Sequence, residues 1–158
     1  MPQEVQDISK LGEELKALGR TVKGFSEPSV DILEAFTTPS RELFYVTFAQ
    51  EGEFTSNCPL TGQPDFADIR ILYRPNSLCV ESKALKLYLQ SFRNTGAFGE
   101  AITNRIADDL VTKLKPAFLV VIGDFKARGG IAWKAEAIRH EADIASHPLD
   151  ALQLSKFR

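Results

Sequence analysis

The sequence predicts an α+β domain in which an antiparallel four-stranded sheet carries two helices on one face. Three observations point there. Short β-branched and aromatic runs and two segments of helical periodicity follow one another as strand, strand, helix, helix, strand, strand. The last two strands are joined by Arg128-Gly129-Gly130, whose glycines suit a tight hairpin turn. At 158 residues, with 44% apolar and 25% charged, the chain can bury one sizeable core and is short for two.

In chain order, an amphipathic stretch at residues 8–18 and a connector through Pro28 and Pro39 make residues 1–40 an N-terminal arm with little core of its own. Leu43-Phe44-Tyr45-Val46-Thr47-Phe48 has strand composition and opens the domain. Residues 66–74 alternate with a period of two, which puts Ile69, Ile71 and Tyr73 on one buried face. Residues 82–93 carry Leu85, Leu87, Leu89 and Phe92 and stop at Asn94-Thr95-Gly96, the first helix. Residues 100–114 repeat Ile102, Ile106, Leu110, Val111 and Leu114 at helical spacing and end before Pro116. The apolar run 118–122 and its partner 131–137 complete the sheet; the domain spans 41–138 and the remainder, 139–158, is a tail. Nothing blunts the sheet edges with strings of Lys or Pro. Edge-to-edge association into a ring, closing the sheets into a barrel with sites between subunits, is the expectation.

Charge and cysteine usage narrow the function. A formal net charge of −2 offers no broad cationic field for nucleic acid, so a small-molecule partner is expected. Two cysteines do not build a disulfide framework, and no charged-then-apolar leader or membrane-length apolar span is seen, which suits a reducing cytoplasm. His140 and His147 lack metal spacing with the cysteines, and no metal is expected.

The chemistry concentrates in Glu53-Phe54-Thr55-Ser56-Asn57-Cys58-Pro59-Leu60-Thr61-Gly62-Gln63-Pro64-Asp65. A thiol followed by Pro and a Thr-Gly turn, with a carboxylate close behind, is a layout for a nucleophile and a proton donor. Cys79, inside the apolar Leu78-Cys79-Val80, reads as core filler. Lys83 and Lys86 neighbour one another at a helix start and suit either a phosphate or a solvated face. Arg128 offers a bidentate fork beside glycines, or simply a turn. Glu100 either complements a helix N-terminus or pairs its two oxygens with the N–H donors of a guanine-like edge; Phe98 either stacks on a heterocycle or joins the core.

Together, residues 53–65, Glu81-Ser82-Lys83-Ala84-Leu85-Lys86-Leu87-Tyr88, Ser91-Phe92-Arg93-Asn94 and Arg128-Gly129-Gly130 resemble the NADPH-dependent 7-cyano-7-deazaguanine reductases, the QueF family, in its short single-module branch. The resemblance implies the tunnelling fold shared with GTP cyclohydrolase I and an assembly of two stacked pentameric rings. It also implies reduction of a nitrile to a primary amine, with two NADPH consumed, in queuosine biosynthesis. By that resemblance Cys58 attacks the nitrile carbon to form a thioimide and Asp65 donates the proton. Glu100, with Phe98 and Gly99, binds the deazaguanine, Glu81 and Ser82 reach it from a neighbouring subunit, and Lys83, Lys86 and Arg128 hold NADPH. The family carries His before the recognition Glu, where this chain has Gly99. A water, a C-terminal residue such as His140, or a different outcome at the thioimide would then stand in: an archaeal relative adds ammonia without reduction, and a binding module without turnover is a third reading.

Overall fold

The alternation in β3 (Pro64–Arg74) lays down the first layer, because Ile69, Ile71 and Tyr73 share one face and are almost wholly buried, as the period of two required. The computed structural model describes residues 27–140. The stretch 8–18, His147 and the tail beyond His140 lie outside it. β3 pairs antiparallel with β2 (Val46–Asn57) on one side and β5 (Phe118–Arg128) on the other, and β6 (Ile131–His140) completes the order β2-β3-β5-β6. Helices α1 (Ser82–Ser91) and α2 (Gly99–Leu114) both pack on the face of Ile69, Ile71, Tyr73, Leu119, Val121 and Phe125, contributing Tyr88, Leu89, Ile102, Ile106, Leu110 and Leu114. Each such side chain contributes about 1.5–3 kcal/mol by leaving water. The other face of the sheet holds a second, smaller cluster: Leu72, Phe118, Val120 and Ile122. Among the described residues β2 and β6 are the edges.

Several elements differ from the expected boundaries. β2 does not end at Phe48 but runs to Asn57, because the polar Glu51-Gly52-Glu53 is a bulge and not a loop. Gln50 faces Ile69 and Phe54 faces Ala67 across it; Gly52, at φ +71°, donates its N–H to Asp68 Oδ1 at 2.7 Å. The first helix stops at Ser91, whose hydroxyl bonds back to the Tyr88 carbonyl at 2.6 Å, and Phe92–Asn94 tightens into a 3-10 turn. β5 and β6 extend to Arg128 and His140. A further difference is a second sheet of two three-residue strands, β1 (Ala35–Thr37) and β4 (Leu78–Val80), each too short to show a period. β1 belongs to the segment read as an arm, yet just before it Leu33 is fully buried in the core. Beyond α2, Lys115 takes the left-handed conformation at φ 47° and its N–H caps the Val111 carbonyl.

Candidate active site

Cys58 is the first residue past β2, and the bulge upstream decides where that strand delivers it. Its carbonyl accepts from Gly62 N at 2.9 Å and its own N–H donates to Gln63 O at 2.8 Å, which closes a turn that only a residue tolerant of φ +68° at Gly62 can make. Inside that turn the thiol is 7% exposed, hidden from bulk water though not deeply buried. Its pKa falls from 9.0 to about 6. The Thr61 hydroxyl lowers it most, then the backbone N–H groups of Thr61 and Leu60, then the Arg128 guanidinium, all outweighing desolvation. Cys58 is therefore a thiolate at neutral pH. Cys79 behaves oppositely: desolvation raises its pKa, as fits a packed thiol in β4.

Asp65 lies at the head of β3, directly opposite Ser56, and both side chains are buried on the helix-bearing side. Arg128 closes the group from the end of β5. Ala67 pairs with Phe125, so the same register carries the end of β5 alongside Asp65, and a register break between Phe125 and Arg128 re-aims the arginine. Its Nε stands 3.3 Å from Asp65 Oδ1. That approach is ionic and not a directed hydrogen bond, since Asp65 Oδ1, Arg128 Nη1 and Ser56 Oγ are all buried without hydrogen-bond partners. Buried polar atoms left unpaired cost about 1–3 kcal/mol each, and three around one thiolate form a place built to receive a polar ligand.

The loop before α2 forms the next wall. Asn57 N donates to Thr95 O at 2.9 Å and Ala97 N to Asn57 O at 3.1 Å, locking residues 95–97 against the Cys58 turn. Phe98, 57% exposed, and Glu100, exposed in the first turn of α2, stand on this rim. Gly99 is buried under Phe125: a Cβ there would lie 2.6 Å from the ring Cζ. The space of a side chain at 99 is already filled. The His140 backbone pairs with Phe118, seven residues along β5 from Phe125 and so about 23 Å away.

The remaining candidates lie elsewhere on the protomer. Glu81 is the N-cap of α1, accepting from Lys83 N at 2.9 Å and Ala84 N at 2.7 Å, with the Ser82 hydroxyl 3.3 Å from the same carboxylate. Ser82 and Lys86 line a cavity of about 310 Å³ between α1 and β2, beside Phe48 and Gln50. Lys86 also lines an adjoining cavity of about 500 Å³ with Gln90, Arg93, Glu53 and Thr55. Cys58 lines neither; the larger cavity reaches along β2 to Thr55, three residues or about 10 Å from Cys58. One protomer thus groups Cys58, Asp65, Arg128 and the residue 98–100 rim, with the cavity of Lys86 and Arg93 reaching toward them along β2.

A family model described as QueF-like protein matches residues 64–143, half of the chain. The chain belongs to the QueF-like family. Relatives named NADPH-dependent 7-cyano-7-deazaguanine reductase agree with that placement. One from Anaeromyxobacter sp. (strain K) is 54% identical over 106 residues, covering 67% of this chain and 86% of the relative. One from Bacteroides fragilis is 47% identical over 125 residues (79% and 83%), and one from Helicobacter pylori (strain G27) 50% identical over 120 (76% and 81%). The solved apo archaeosine synthase QueF-Like superposes with a TM-score of 0.56 at 15% identity, covering 66% of this chain and 99% of that one, a likeness of fold.

For this QueF-like protein, reading the sequence missed Ser56, Thr61 and Arg93. Ser56 had a signal: two residues after core-facing Phe54 on a strand, it must share that face and meet Asp65. Thr61 had one in its place within the Cys58 turn. Arg93 sits one turn beyond Gln90 on the cavity wall, a position no periodicity marks.

Proposed function

We propose that this QueF-like protein reduces the nitrile of 7-cyano-7-deazaguanine to the amine of 7-aminomethyl-7-deazaguanine with NADPH, in queuosine biosynthesis, through a thioimide on Cys58. Relatives at 47–54% identity bear that activity in their names. The observation that carries the mechanism is a thiol lowered to about 6 whose arginine partner, Arg128, also meets a buried carboxylate with an unpaired oxygen. The Cys58 thiolate forms the S–C bond, one C–N π bond breaks, and the nitrile nitrogen takes the proton that Asp65 brings. Thiolate and acid together hold the one proton needed, so no outside donor enters this step. The covalent link keeps the half-reduced carbon in place.

Glu100 and Phe98 at the rim suit a deazaguanine, the carboxylate accepting from its paired N–H groups and the exposed ring covering its face. Glu81 and Ser82 would reach the substrate from a neighbouring subunit, joined across β2 and β6, the edge strands among the described residues. That is the tunnelling-fold ring, two pentamers stacked as a decamer. NADPH supplies the hydrides, two molecules per nitrile. The cavities between α1 and β2 fit a phosphate-bearing cofactor in size and in donors, with Lys86 and Arg93 on one wall and Lys83 on the same helix. Among the described residues no helix is long and apolar enough to cross a membrane, and we place the reaction in the cytoplasm.

The test follows NADPH absorbance with the free nitrile base. Two equivalents oxidised per nitrile are expected, and no oxidation by the pure protein sinks the reductase. A mass increase on Cys58 without NADPH, absent in Cys58→Ala, is expected for the thioimide. An adduct that yields an amidine with ammonia would instead mark a non-reducing synthase, the outcome to which Gly99 leaves room.

A further inference from the structure

We propose that Arg128 is a positioning residue of the Cys58–Asp65 pair, its guanidinium tying nucleophile and carboxylate together across the sheet. The family resemblance implied a different duty, holding NADPH. Geometry favours the first. Arg128 sits at the end of β5 beyond a register break, at the level of Asp65, and is not among the residues that line the cavities of Lys86 and Arg93. Nε is 3.3 Å from a carboxylate only 6% exposed, and Nη1 is buried without a partner. A cation on a long stem is held there by its neighbours. Its side chain, 36% exposed, borders the pocket while leaning on Asp65.

The same guanidinium reaches the Cys58 thiol and helps lower its pKa. Arg128 from β5 is the charged group that reaches this thiol, and Asp65 from β3 meets the same guanidinium. A cation lying against both draws the Cys58 thiolate and the Asp65 carboxyl group into one pocket. Arg128 thereby keeps the nucleophile and the acid of the proposed step as neighbours. The five donors of arginine span both groups, whereas a lysine ammonium is a point charge.

This inference rests on Cys58 being the nucleophile but needs neither substrate nor cofactor, so the test uses the full-length apoprotein and iodoacetamide. The rate of Cys58 alkylation is followed from pH 4.5 to 9 by intact mass, with Cys58→Ala as the blank. Wild type should show a midpoint near pH 6. Arg128→Gln should raise it by about one unit, making alkylation at pH 6 about fivefold slower, and Arg128→Lys should recover part of the shift. Melting curves of both variants confirm the fold; should the glutamine variant not fold, the lysine variant carries the test, with a midpoint above that of wild type. An unchanged midpoint in the variants, with a raised KM for NADPH, overturns the proposal and returns Arg128 to the cofactor. If the midpoint shifts while wild type never oxidises NADPH, the reductase reading falls and the positioning role stands.

Discussion

Gly99→Ala is the most direct probe of why this site lacks a side chain where its family carries an imidazole. The added Cβ would lie 2.6, 2.7 and 2.9 Å from Cζ, Cε2 and Cε1 of Phe125. Carbon pairs settle at about 3.5–4.0 Å, so the ring must retreat by roughly 1 Å. It has little room: Phe125 is 1% exposed and lies flat on Trp133 at 5.0 Å between centroids, and it also presses on Gly123, whose own Cβ would meet its Cε2 at 2.8 Å. Overpacking of this kind costs about 1–3 kcal/mol. Alanine recovers at most about 1 kcal/mol of helix propensity, less at a first helical position, which leaves a net loss of roughly 1–2 kcal/mol. At about 2–4 °C per kcal/mol for a chain of this size, Tm should fall by roughly 2–8 °C. The assay is a thermal melt by circular dichroism at fixed protein concentration, since association also moves Tm. Phe125→Leu removes the offending Cζ, and in that background Gly99→Ala should cost nothing further. A single variant that melts with wild type, or costs that add to within about 0.5 kcal/mol in the double variant, would refute the reasoning.

Thr61→Val removes the hydroxyl that lowers the Cys58 pKa most, so its alkylation midpoint should rise further than that of Arg128→Gln. In wild type, thioimide formation should be full above about pH 7 and lost as pH falls through about 6, because the protonated thiol is not the nucleophile; a flat profile from pH 5 to 8 would contradict a lowered thiol. Asp65→Asn should leave the Cys58 fold intact and lower turnover by about 10²-fold or more, measured by NADPH oxidation, and near-normal turnover would remove the carboxylate from the mechanism. Lys86→Ala should raise the KM for NADPH with kcat little changed, since it lines a cavity that Cys58 does not line; an unchanged KM would make it an ordinary solvated lysine.

What could be read from the chain followed the range of the interactions involved. Period-two alternation at Ile69, Ile71 and Tyr73 and the helical spacing of Ile102, Ile106, Leu110 and Leu114 are local patterns, and each lies on the side it was assigned. The turn at Cys58 was equally local, since Pro59 and Gly62 declare it. Gln50-Glu51-Gly52-Glu53 misled because a bulge is defined by the partner strand: only Asp68 across the sheet shows that Gly52 lies within β2. β1 and β4 escaped for the same reason, as three residues hold a pairing but not a period.

By itself the sequence determined the α+β order, the core faces and the turn that holds Cys58, because these rest on neighbours within a few positions. Only the tertiary structure decided that Arg128 would stand beside Asp65 and within reach of Cys58, that Ser56 would face Asp65, and that Phe125 would occupy the space at Gly99. Those meetings are set by strand register, where a shift of one residue turns every side chain to the other face, and register is settled by the packing of the whole sheet against its helices.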